Sequence, residues 1–60
     1  MLYYVYGEDI PARRIDKYSV QELWVAGEWV PRNVEDWDTR AFPSTEAEVK
    51  QLIALRQKAE

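Results

Sequence analysis

Glu35, Asp36 and Asp38 form the densest group of chemically capable side chains in the sequence. Carboxylates at i and i+2 open the pattern of a calcium loop, but that loop needs a Gly at its sharp turn and a bidentate Glu at its end. Neither follows at that spacing, so no metal site is expected. A glycosidase pair would need a cleft between its carboxylates, which a 60-residue chain can hardly build. The group reads as a solvated turn. The hydroxyls of Ser19, Thr39, Ser44 and Thr45 have no His to activate them, and no Lys or carboxylate partner is evident. Arg13-Arg14, beside Asp16, could clamp an anion through bidentate contacts. On a strand, however, neighbours point to opposite faces and would not act together. The expectation is a non-enzymatic protein with no cofactor.

Composition narrows the classes further. There is no Cys and no His among the 60 residues, which removes disulfides, zinc sites, thiol nucleophiles and imidazole chemistry together. A single domain spanning 1–60 is expected, with a core that stands on packing or on oligomerisation. Eleven acidic and eight basic side chains give a formal net charge of -3. The basic residues are scattered, whereas nucleic-acid binders carry a basic patch or stripe, so no nucleic-acid partner is expected. The start, M-L-Y-Y-V-Y-G-E-D, lacks the basic region of a signal peptide, and no apolar run is long enough to span a membrane. With an initiator Met and no Cys, a cytoplasmic location without membrane association is the expectation.

The compositional excess is aromatic: Tyr3, Tyr4, Tyr6, Tyr18, Trp24, Trp29 and Trp37. Trp, Tyr and Arg are the favoured hot-spot residues of protein interfaces. Exposed aromatic rows also stack sugars or grip Pro-rich peptides. A candidate partner-binding surface therefore combines Trp24 and Trp29 with Tyr4 and Tyr6.

The elements that would position these residues follow from pattern. Leu23 to Pro31 (L-W-V-A-G-E-W-V-P) reads as a hairpin, with strands Val20–Val25 and Glu28–Arg32 around Ala26-Gly27. A two-residue loop sets Val25 against Glu28, Trp24 against Trp29 and Leu23 against Val30. Both indoles then share one face, and Leu23, Val25 and Val30 share the other. Leu2–Tyr6 reads as a strand ended by Gly7. Ile10–Tyr18 reads as a strand over Ala12–Asp16 or as a helix; the strand is preferred because the hairpin needs paired edges. Asn33 could cap a helical turn over V-E-D-W, and Thr39–Phe42 is a short strand or an extended lead-in closed by Pro43.

Thr45 to Lys58 is a helix, with Thr45 and Glu48 as a capping box and Glu46–Lys50 as an i, i+4 pair. Val49, Leu52, Ile53, the Arg56 stem and Ala59 form its inner stripe, with Leu55 beside it, and Leu52 and Ile53 are expected to be among the most buried residues. The fold class is α+β: a three- or four-stranded antiparallel meander with one C-terminal helix packed on one face. One helix covers one side only. The Trp24–Trp29 row, with Tyr from the first strand, is expected to be the side left open. It would be covered by a second copy, by another protein, or by the N-terminal arm or Asn33–Pro43 folding over it.

The functional expectation is a small protein-binding module: a regulator, inhibitor or accessory subunit docking through that aromatic face, with another protein or, as a homodimer, a second copy of itself as partner. The alternative is a ligand-binding module taking sugar or peptide.

Overall fold

The computed structural model describes residues 1–59. Five strands form one antiparallel sheet: β1 (Leu2–Tyr6), β2 (Ile10–Arg14), β3 (Glu22–Val25), β4 (Glu28–Pro31) and β5 (Ala41–Ser44). Their order across the sheet is β4-β3-β2-β1-β5. A short helix, α1 (Trp37–Arg40), precedes β5, and α2 (Glu46–Ala59) follows it. The class is α+β as expected, and β1 to β4 form a meander. The sheet has five strands rather than three or four, because β5 pairs with β1 straight through Pro43. A proline is tolerated there because β5 is an edge strand.

The β3–β4 hairpin has the expected register, Val25 opposite Glu28, Trp24 opposite Trp29 and Leu23 opposite Val30. Its two loop residues both lie in the left-handed region, Ala26 at φ 52° and Gly27 at φ 85°. This is the type I′ arrangement, whose twist matches that of the flanking strands. Gly27 adopts it freely, whereas an L-residue such as Ala26 pays roughly 1–2 kcal/mol. Beyond the strand, the Arg32 N–H donates to the Gln21 carbonyl at 2.7 Å. Alternation from that bond makes Leu23–Val30 and Val25–Glu28 the hydrogen-bonded pairs. Trp24–Trp29 is then a non-hydrogen-bonded pair, where opposed side chains approach most closely. The two rings meet edge to face, 5.3 Å apart at 74°.

Element boundaries moved where side chains captured the backbone. β2 spans Ile10–Arg14 rather than Ala12–Asp16, because Asp16 folds the following loop. Its carboxylate accepts from the Tyr18 N–H at 2.8 Å and the Ser19 hydroxyl at 3.1 Å. β3 starts at Glu22 rather than Val20 and β4 ends at Pro31. Pro11 lies in an inner strand, yet the β2–β3 ladder consists of Ala12–Leu23 and Arg13–Glu22. It stops where Pro11 has no N–H to give.

The registers assign the faces. Tyr4 opposes Ala12, and Ala12 opposes Leu23, so Tyr4, Tyr6, Ala12, Leu23 and Val30 share one face. Tyr3, Val5, Pro11, Arg13, Trp24 and Trp29 share the other. Helix α2 lies over β1 and β2, on this second face. Val49 is its most buried residue at 0% exposure, and Pro11 beneath is also fully buried. Leu52 and Ile53 are only half-buried, because the stripe rolls toward Val49; the Ala59 side chain lies outside the described residues. The Thr45 hydroxyl caps the helix by accepting from the Glu48 N–H at 3.2 Å. The Glu48 carboxylate does not close the expected box, because it accepts from the Ser44 hydroxyl at 2.5 Å instead.

The first face has its own cover. β4 and β5 are at opposite edges, so the chain between them must cross the sheet. It does so with Trp37, which is 7% exposed and joins Tyr6, Ala12 and Leu23 in one buried cluster, flanked by Tyr4, Ile10, Val34 and Ala41. The expected turn at Asn33 therefore forms later: α1 starts at Trp37 with Asp36 at its N-cap. Asn33–Pro43 does fold over the sheet, but over the face opposite the Trp24–Trp29 pair.

Two stability measurements check this account. Ala26→Asn keeps the turn and relieves its strained position, and should raise the denaturation free energy by about 1 kcal/mol. Trp37→Ala empties the centre of the crossing segment and should cost about 3–5 kcal/mol. A domain this small has little more than that in reserve, so the variant should show no cooperative thermal transition by circular dichroism.

Candidate functional site

The structure divides the four candidate residues. Trp24 and Trp29 stand together on the α2 side of the hairpin, both half-buried. Tyr4 and Tyr6 are on the opposite face, under Trp37. The Tyr4 ring meets Trp37 edge-on at 5.0 Å, and the Tyr6 ring stacks on it at 6.0 Å and 13°. The four do not form one surface. Tyr4 and Tyr6 belong to the core cluster and its margin, and the accessible aromatic pair is Trp24–Trp29.

Arg13, which the sequence pattern alone does not join to that pair, lies against it. Its guanidinium lies 4.2 Å from the Trp29 ring centroid, a cation–π distance. Its Nε donates to Glu22 Oε1 at 2.9 Å, with both side chains about one-quarter exposed. Arg13 opposes Glu22 across β2–β3, so the ion pair is a cross-strand neighbour contact. The signal was present in the alternation: Arg13, Glu22, Trp24 and Trp29 all project to one side. As expected from a strand, Arg14 projects to the other. There its Nη2 donates to the Ser19 carbonyl at 2.7 Å, and its guanidinium lies 5.8 Å from the Trp37 ring.

The carboxylate group is also dispersed. Asp36 Oδ1 accepts the Tyr6 hydroxyl at 2.5 Å, and Oδ2 lies 3.5 Å from Arg40 Nη1. Glu35 and Asp38 are exposed. Among the described residues, no three His, Cys, Asp or Glu side chains are placed to hold a metal ion. Ser44 does have a carboxylate partner, Glu48, that the sequence did not reveal. The pair joins the end of β5 to the first turn of α2.

The Tyr6–Asp36 bond ties the crossing segment to β1, and it moves both titrations. The Tyr6 hydroxyl, with help from Arg40, holds the Asp36 carboxyl below the usual 3.8. In return, the hydrogen bond to Asp36, reinforced by burial, raises the Tyr6 phenol above 10.0. Asp36 contributes stability that is complete above pH 3.8 and is lost as pH falls through its lower folded value. Tyr6 contributes stability that is complete below pH 10.0 and is lost as pH rises through its higher folded value.

Comparison of the chain with protein-family models, with curated proteins and with solved structures finds no match. No helix among the described residues is long and apolar enough to cross a membrane.

The bond has a direct test. Tyr6→Phe deletes the phenol and the largest cause of the Asp36 shift. Denaturant unfolding across pH should show a lower plateau for this variant, with a shallower decline on both the acid and the alkaline side. Parallel wild-type and variant curves at both extremes would show that Tyr6 and Asp36 are not coupled.

Proposed function

We propose that this chain is a non-enzymatic protein-binding module that docks through the Trp24–Trp29 half of its α2-side face, onto another protein or a second copy of itself. One observation carries the reading. α2 lies over β1 and β2, and beside it the two indoles keep part of their surface in water, fixed in a cross-strand pair with Arg13 on one ring.

Holding aromatic and Arg side chains in place before binding lowers the entropy lost on association. Trp and Arg are also the residue types that most often dominate interface energetics. Use of the pair as a sugar platform is less favoured, because Arg13 already occupies a face of the Trp29 ring. The Tyr4–Tyr6 row adds nothing to this surface, since it lies on the other side of the sheet.

Trp29→Lys and Arg13→Ala test the reading against a helix signal that should stay close to wild type. Sedimentation of the wild type across a wide concentration range reports self-association. Affinity capture from the source lysate, with wild type and Trp29→Lys side by side, reports a different partner. The expected outcome is an association or a captured protein that Trp29→Lys loses and Arg13→Ala weakens. A monomer whose captured proteins are identical for wild type and Trp29→Lys would refute the proposal.

A further inference from the structure

An edge strand presents every second residue's N–H and C=O outward, and such a row templates the addition of another strand. The registers show which residues hold those outward positions. In β4, the Arg32 N–H is directed to Gln21, so Glu28 and Val30 bond inward to β3. Trp29 and Pro31 are the residues whose backbone groups face out. In β5, the Arg40 carbonyl accepts from the Gly7 N–H at 3.0 Å, so Phe42 and Ser44 bond inward to β1. Ala41 and Pro43 face out.

Each edge thus has a proline in an outward position, where it offers no donor. The remaining outward donor of β5, the Ala41 N–H, is bonded to the Trp37 carbonyl. Among the described residues, the Trp29 N–H is the one outward donor of the two edge strands without a backbone partner.

We propose that Pro31 and Pro43 close the sheet against strand addition, and that Pro31 is the single residue keeping the β4 edges of two copies apart. The geometry of the pairing it blocks is specific. Two β4 strands related by a two-fold axis at Val30 would place Trp29 of each opposite position 31 of the other. An N–H at position 31 would complete two reciprocal hydrogen-bonded pairs on that edge. With proline there, each pair lacks one of its two bonds. β5 differs, because restoring a donor at position 43 still leaves the Ala41 amide engaged by Trp37. A partner of this chain therefore meets folded side-chain surface rather than contributing an extended strand. This inference stands whether or not the Trp24–Trp29 surface binds anything.

The test compares Pro31→Thr, Pro31→Ala and Pro43→Thr with wild type; both prolines are exposed, and circular dichroism verifies that each variant folds. Sedimentation velocity reports mass across a wide concentration range, and amide hydrogen exchange reports the state of the Trp29 N–H. Both position-31 variants should move from monomer toward dimer as concentration rises, Thr more strongly than Ala. The Trp29 amide should slow by about tenfold or more in the dimer. Pro43→Thr should sediment as wild type does. The inference is overturned if both position-31 variants stay monomeric with a fast-exchanging Trp29 amide. It is equally overturned if wild type already protects that amide through self-association. A wild-type dimer with a freely exchanging Trp29 amide would instead be one built through side chains, and leaves the edges closed as proposed.

Discussion

A chain that finishes a meander at one edge of a sheet and lays its next strand at the other edge must carry the residues between them across a face. Here that distance is about 19 Å, four inter-strand spacings. Arg32 to Arg40 covers it readily when partly extended. The crossing cannot be apolar throughout, because its ends are exposed, so it is anchored at its middle. Trp37 supplies the anchor: one indole over Tyr4, Tyr6, Ala12 and Leu23, with the Asp36–Tyr6 bond beside it. Every other cover follows from this. With one face sealed by the crossing, α2 takes the opposite one, where Pro11 and Val49 are the fully buried pair.

The adjacent arginines serve this two-faced layout. Alternation sends Arg13 over Trp29 and Arg14 toward Trp37, so each face has a guanidinium against an indole. A chain with no Cys has no covalent link to rely on, and large aromatic surfaces with cationic neighbours supply much of the packing that remains. Arg14 shows the cost of the arrangement. Its Nε is buried with no acceptor among the described residues, a loss that its Ser19 bond and its place near Trp37 must outweigh.

What the sequence revealed was local, and what it concealed depended on relations between distant parts. The β3–β4 register could be read because Ala26-Gly27 joins two alternating runs, and α2 could be read because its cap, charges and stripe agree. The grouping of Tyr4 and Tyr6 with Trp24 and Trp29 failed for a definite reason. It depended on β2, the strand between them, whose position rests on the turn Gly7-Glu8-Asp9 and on Asp16. Tyr6 opposes Ile10 across that turn; a shift of one residue would move the whole Tyr row to the other face. Trp37 has no destination legible in the sequence, since nothing near it states which face the crossing takes. Arg13 could have been placed with the Trp pair from alternation alone, had β2 been set at Ile10–Arg14.

Trp29 is where the demands of folding and the scope for recognition meet. Its ring is held between Trp24 and Arg13, its neighbour across the hairpin is fixed by the type I′ turn, and its amide faces out from an edge that Pro31 shortens. Exposed apolar side chains elsewhere are not held in such a pair: Ile15 and Tyr18 project from the Asp16 loop, Tyr18 with Lys17 over its ring, while Phe42 lies on β5 and Leu55 on α2. Singly exposed apolar residues of that kind are ordinary on a small protein. A fixed pair is different, because rigid rings lose little freedom when a partner covers them. The same order that builds the hairpin therefore holds the proposed docking surface rigid, while the proline beside it leaves an outward position with no N–H to offer another strand.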